Sequence, residues 1–305
     1  MNVDLVFEGG GVLGISFVGA YKALSENGYK VIRCAGTSAG SIISTLIIAG
    51  YNVQEIHDIL NNTDFNQFLE KTKLEKVCFF GKGLSLFFNN GIYNSLCIET
   101  WIKDLLIKKG INTFGDIMEN NESPLKIIAA DITKRKMLIL PDDAILYGIK
   151  PQDFPIAKAV RMSCAIPFFY TPVKIKSGKI TSYVVDGGLL SSYPIWIFDV
   201  DSKPIRPTFG LKIKDEYSKT SLGKKYLCAI TSDIINACIN KDEMRFVRDK
   251  DLVRTIIINN DHQIKSTDFK LSEEDINYLY KMGYDSVESF VKKWNYTDYI
   301  KRFMV

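Results

Sequence analysis

The chain has 305 residues, 46% apolar and 24% charged, and 39 Lys plus Arg against 35 Asp plus Glu give it a net charge of +4. That is enough apolar side chain for a full core, which excludes a disordered chain, and the interspersed charges exclude the basic face of a dedicated nucleic-acid binder. Six cysteines without a C-x-x-C pair exclude a disulfide framework and a zinc ribbon, and only two histidines, His57 and His262, exclude a His-rich metal site.

No apolar run approaches the roughly 18 residues that a membrane-spanning helix needs. The longest, Ile42 to Ala49, closes at Gly50. Asp4 and Glu8 stand where a signal peptide would carry basic residues. The expectation is a soluble protein, cytoplasmic or peripheral to a membrane, with export by a signal-independent route left open.

Val3 to Phe7 is a short apolar run and predicts a buried strand. Gly14 to Asn27 has helical spacing and stops at Gly28. Tyr29 to Ala35 predicts a second strand, and Ser41 to Ala49 a buried helix. Strand, helix, strand, helix implies a parallel sheet with helices on its faces. Asn52 to Leu60, Ser95 to Lys108 and Pro155 to Ser163 predict further helices. Leu125 to Ala130, Met137 to Leu140, Ser182 to Val185 and Val253 to Ile258 predict strands. Ser272 to Met282 and Ser286 to Trp294 read as two amphipathic helices.

Three glycine motifs follow predicted strands. Gly9-Gly10-Gly11-Val12-Leu13-Gly14 allows a ligand to approach the backbone closely at a helix N-terminus. It also fits the dinucleotide fingerprint, but that use needs an acid at the end of the second strand, and Arg33 to Ala39 contains none. Gly36-Thr37-Ser38-Ala39-Gly40 is a G-x-S-x-G turn, which lifts a serine hydroxyl off a sheet edge and sets the following N–H beside it. Asp186-Gly187-Gly188 closes the strand through Tyr183 to Val185. Ser38 needs a partner to take its proton. His262 has the chain order of a Ser-acid-His triad, His57 lies in a predicted helix, and Asp186 would share the carboxyl edge of a parallel sheet with Ser38.

Taken together the three motifs resemble the patatin-like phospholipase family, which combines a glycine-rich oxyanion loop, a G-x-S-x-G elbow and a later D-G-[AG]. Gly91-Ile92-Tyr93, Thr113 to Asp116, Ala129 to Thr133, Ala159 to Pro172 and Tyr193-Pro194 resemble its intervening signatures, so the likeness spans about Asp4 to Phe198. Thr267-Asp268-Phe269, Gly283-Tyr284 and the final helices resemble the tail of bacterial and viral members. The resemblance implies an α/β fold, three-layer α/β/α with a mainly parallel central sheet. It implies a core over 4–198, with 199–305 as an extension packed on it.

The resemblance further implies a lipid acyl hydrolase without cofactor or metal. Ser38 matches the nucleophile and Asp186 the proton acceptor of a Ser-Asp dyad. Gly10 and Gly11 match the oxyanion donors, with the Ala39 N–H beside them. Gly9, Gly14, Gly36, Gly40, Gly187 and Gly188 are the remaining motif glycines. Leu13 departs from the Arg or Lys that many members carry there, which leaves backbone dipoles to hold the anion. The implied substrate is a phospholipid or lysophospholipid at a membrane surface, with no nucleic-acid partner. Phe79, Phe80, Leu84, Leu86, Phe87 and Phe88, flanked by Lys73, Lys76 and Lys82, read either as a lid or membrane-touching loop or as core. Asp131 is expected to orient a loop. The alternatives are a lipid-binding protein without catalysis and a nicotinamide-dependent oxidoreductase.

Overall fold

The computed structural model describes residues 1–70, 91–215, 249–262, 264–266 and 268–303. The aromatic segment from Cys78 to Phe88 with its flanking lysines, and Thr267, lie outside the described residues. In chain order the strands are β1 (Asn2–Phe7), β2 (Lys30–Thr37), β3 (Gly91–Tyr93), β4 (Leu125–Asp131), β5 (Lys136–Leu140), β6 (Phe168–Tyr170), β7 (Val173–Ser177), β8 (Ile180–Asp186), β9 (Thr208–Asp215) and β10 (Thr255–Asn260). Among the described residues the helices of two turns or more are α1 (Ser16–Glu26), α2 (Ala39–Ile48), α3 (Val53–Asn61), α4 (Leu96–Lys108), α5 (Ile156–Ser163), α6 (Glu273–Val291) and α7 (Tyr296–Phe303).

The chain forms two compact units. The first takes Met1–Thr63 together with the described parts of Tyr193–Thr220 and Asn240–Val305. Its strands lie in the order β10-β9-β1-β2 and all run parallel. Parallel strands buried on both faces read as continuous apolar runs, and Val3, Leu5, Val6 and Phe7 of β1 are buried without alternation. A core of Val6, Ala35, Tyr193, Ile195 and Phe198 sits against β1 and β2. Residues beyond 198 therefore supply strands β9 and β10 to the same sheet as β1.

The helices near the end of the chain differ from expectation. Ser272 to Trp294 does not form two helices: α6 runs unbroken from Glu273 to Val291, through Gly283. Gly283 sits where α6 crosses α1, and a Cβ there would lie 1.7 Å from the Ser16 carbonyl oxygen. Gly19 of α1 faces the Tyr280 carbonyl oxygen in the same way, at 1.8 Å from an added Cβ. The glycine signals close approach of two helices and not a helix end.

The second unit holds the described residues of Asp64–Ser192. Here β4 pairs antiparallel with β5 and with β8, and β7 pairs antiparallel with β8. Strands β3 and β6 form a short parallel pair of their own. Helix α5 packs on β4 and β8, and α4 packs on α5. The strand ending in Asp186 thus has antiparallel neighbours in place of the parallel ones expected of it. Strands β3, β6, β7 and β9 are additional to the predicted ones, although Val173–Ser177 alternates buried and exposed residues as a half-buried strand does.

Candidate active site

Ser38 stands between the end of β2 and the start of α2, at φ 51 and ψ −123. A serine in the left-handed region is strained by about 1–3 kcal/mol, and such strain persists only where the surroundings enforce it. The flanking glycines show how it is enforced. A Cβ on Gly36 would lie 2.3 Å from the backbone of Gly40, and one on Gly40 would lie 2.5 Å from the Phe7 carbonyl oxygen. Ser41 donates from its amide at 2.8 Å and from its hydroxyl at 2.6 Å to the Ser38 carbonyl, which closes the turn into α2. Ala39 is the first residue of α2, where the amides have no acceptor within their own helix. Ser38 is 8% exposed.

The glycine loop belongs to the same unit and meets this turn. A Cβ on Gly14 would lie 2.8 Å from the Ala39 Cβ, so Gly14 lets the two motifs touch. The loop enters a 3-10 turn over Gly11–Ile15 before α1 begins at Ser16, two residues later than the spacing predicts. Gly11 has φ +54, and a Cβ there would fall 2.0 Å from the Ser266 carbonyl oxygen. The Glu8 amide donates to Leu211 O at 3.1 Å, the Val12 amide to Ser266 O at 3.0 Å and the Leu13 amide to Gly10 O at 3.1 Å. These bonds fix the backbone on either side of Gly9, Gly10 and Gly11. Leu13 is buried, so the position where many relatives carry a cation is here part of the apolar core.

Asp186 ends β8 in the second unit and is 2% exposed. Its amide donates to Ala165 O at 2.9 Å, and its Oδ1 accepts the Gly188 amide at 2.7 Å. Gly187 fits against β4, since a Cβ there would lie 2.4 Å from the Ile128 carbonyl oxygen. Ser163 holds the same carbonyl at 2.6 Å. D-G-G is thus a capped turn after a strand, with its carboxylate fixed by its own motif.

The other titratable candidates have structural surroundings. The His57 ring packs edge-on against Tyr280 at 4.7 Å, with Asn61 at 3.2 Å from Nδ1. His262 lies against Tyr278 at 3.7 Å between centroids. Asp131 accepts the amides of Thr133 and Lys134, each at 2.9 Å, and the Tyr147 hydroxyl at 2.7 Å, so it orients the β4–β5 turn as expected. Burial and this carboxylate both push the Tyr147 phenol far above its ordinary range. Among the described residues no cluster of His, Cys, Asp and Glu is arranged to hold a metal.

One buried pair lies outside the three motifs. Glu8, directly before the glycines, bonds Lys212 Nζ of β9 and accepts the Ile213 amide at 2.8 Å. The only trace in the sequence was a lysine within an apolar strand and a glutamate at the end of another.

Comparison with known proteins identifies the family. The Patatin family profile, described as patatin-like phospholipase, matches residues 5–199. Uncharacterized protein YqhO of Bacillus subtilis is 36% identical over 97% of this chain and all of its own length. Probable lipid hydrolase 463L of invertebrate iridescent virus 6 is 29% identical over 63% of this chain and 61% of its own. Among solved structures, VipD from Legionella pneumophila has a TM-score of 0.57 at 16% identity, over 95% of this chain and 66% of that one. Full-length ExoU of Pseudomonas aeruginosa, in complex with SpcU, has a TM-score of 0.51 at 15% identity, over 99% of this chain and 53% of that one. The chain therefore spans about three fifths of 463L and between half and two thirds of the two solved chains. At these identities the structural likeness concerns the fold, and the fold is the expected α/β class. The length of the family match decides the assignment: this chain belongs to the patatin-like phospholipase family, which supports its being a lipid acyl hydrolase.

Proposed function

We propose that the protein hydrolyses fatty acyl esters of phospholipids or lysophospholipids through a Ser38–Asp186 dyad. The single observation that carries this reading is the left-handed backbone of Ser38 between two sterically required glycines. A buried polar turn has no folding reason to hold a serine there, whereas a nucleophile elbow does. In the proposed reaction Ser38 Oγ attacks the acyl carbonyl carbon and Asp186 takes its proton. The amides of Gly10, Gly11 and Ala39 hold the oxyanion. The intermediate collapses, the C–O bond to the alcohol breaks, and Asp186 returns the proton to the leaving oxygen. Water, losing a proton to Asp186, then attacks the acyl-serine; the bond from the acyl carbon to Ser38 Oγ breaks, Asp186 returns the proton to Oγ, and the fatty acid leaves.

The aromatic settings of His57 and His262 support a mechanism with no histidine base. The name of the iridescent virus relative supports a lipid substrate. No helix among the described residues is long and apolar enough to cross a membrane, and we propose that the substrate is met at a membrane surface.

The test is product mass spectrometry on mixed phospholipid vesicles, alongside labelling by a fluorophosphonate probe. Wild type is expected to release fatty acid and to be labelled at Ser38, while Ser38→Ala does neither. Asp186→Asn is expected to lose at least a thousandfold in kcat, in line with the loss of an acid or base that works as a unit with its nucleophile. A folded protein that is neither labelled nor active would favour a lipid-binding role. Full activity in Asp186→Asn together with loss in His262→Ala would replace the dyad with a triad.

A further inference from the structure

The residues that hold the glycine loop come from beyond the matched family segment. On its upstream side, β9 lies parallel beside β1 with Leu211 opposite Phe7. Three bonds tie Glu8 to β9: its amide to Leu211 O at 3.1 Å, its Oε2 to the Ile213 amide at 2.8 Å, and its Oε1 to Lys212 Nζ. Glu8 and Lys212 are both buried. The Tyr193 ring lies 5.2 Å from Lys212 Nζ, and its hydroxyl bonds Thr255 Oγ1 at 2.8 Å. Gly210 makes room for that hydroxyl, which would stand 1.7 Å from a Cβ there.

On the downstream side, the Val12 amide donates to the Ser266 carbonyl. That carbonyl sits in a turn built by two side chains. Asn260 Nδ2 donates to Ile264 O at 2.9 Å. Asp268 Oδ2 accepts the Lys265 amide at 2.9 Å, and the Asp268 amide donates to Lys265 O at 3.0 Å. Gly9, Gly10 and Gly11 are therefore clamped between Glu8 and Val12, by two segments that the sequence resemblance assigned only to a tail.

We propose that Lys212 and Asp268 are positioning residues for the oxyanion loop. Lys212 acts through Glu8, and Asp268 acts through the Ser266 carbonyl. This rests on the reading that Gly10 and Gly11 donate to the oxyanion. Two physical requirements point to these residues. Donors of a preorganised site must be held within about half an ångström, and a loop of successive glycines has no side chains to hold itself. A buried carboxylate next to the loop would also repel the oxyanion, unless a cation neutralised it.

The experiment compares steady-state kinetics on a lysophospholipid with inhibition by a long-chain trifluoromethyl ketone, which forms a tetrahedral adduct with an active serine. The variants are Asp268→Ala, Asp268→Asn, and Glu8→Gln combined with Lys212→Met. The double variant removes both charges together, so no lone buried charge threatens folding. Asp268→Ala and the double variant are expected to lose about ten- to a hundredfold in kcat, with KM within about twofold. Their inhibition constants are expected to rise by the same factor. Asn at 268 keeps an acceptor for the Lys265 amide, so Asp268→Asn is expected to retain most of the activity. Folded variants with wild-type kcat, or a loss confined to KM, would overturn the proposal. An inactive wild type would overturn the hydrolase reading itself, a result distinct from active wild type with unaffected variants.

Discussion

Ser38 adopts a backbone conformation that costs a glycine nothing. Ser38→Gly is therefore expected to raise stability by about 1 kcal/mol while abolishing hydrolysis. Ser38→Ala keeps the Cβ and the strain, so it should abolish hydrolysis with stability nearly unchanged. Urea denaturation midpoints of the two variants separate strain from function. Gly40→Ala acts in the opposite direction. Its new methyl would meet the Phe7 and Glu8 carbonyl oxygens at 2.5 and 2.6 Å, and a loss of about 1–3 kcal/mol is expected in the same assay. At this scale much of the candidate site was legible, because G-x-S-x-G states its backbone requirement in its own letters. Glu8 and Lys212 were not legible, because nothing in either local sequence says what the other buries against it.

At the scale of elements, the helices were found more easily than their limits. Asn52 caps α3 in a capping box with Glu55, and the predicted start at Asn52 agrees with it. Helix α6 shows the opposite case: Gly283 looked like a break and is a crossing point with α1. Gly283→Val should force the two helices apart and cost about 1–3 kcal/mol, measured by thermal unfolding. The start of α6 makes a second expectation. The amide and hydroxyl of Ser272 hold the Asp275 carboxyl below its usual range, at an exposed site. A depressed carboxylate contributes stability above its unfolded pKa, near 3.9, and loses it as pH falls through the lower folded value. Ser272→Ala should thus cost about 1 kcal/mol at neutral pH, and progressively less in denaturation curves taken below about pH 4.

At the scale of the whole chain, the family match ends at residue 199, but the first unit does not. Residues Asp4 to Phe7 pair with Thr208 to Leu211, and Asp4 is held by Arg33 at 2.6 Å and by Arg206 at 2.7 Å. Arg254 is fully buried, bonded to Asp199 at 2.6 Å and to Asp251; burial works against its charge, but the two carboxylates together outweigh it and hold the guanidinium charged. A chain ending at residue 199 would expose the edge of β1 and leave Asp199 without its arginine. It is expected to give few protected amides in hydrogen exchange and no esterase activity, whereas the 305-residue chain is expected to show protected amides and esterase activity.

The sequence by itself determined the three glycine-rich turns and most of the helices and strands, since periodicity and glycine placement are local properties. It also identified the family through ordered motifs. Only the tertiary structure decided which segments hold those turns in place. Glu8 finds Lys212 204 positions away, and Gly11 finds the Ser266 carbonyl. Such contacts are chosen by the pairing of β1 with β9 and by the path of the chain after β10, and a parallel pairing across that distance leaves no period in the sequence to read.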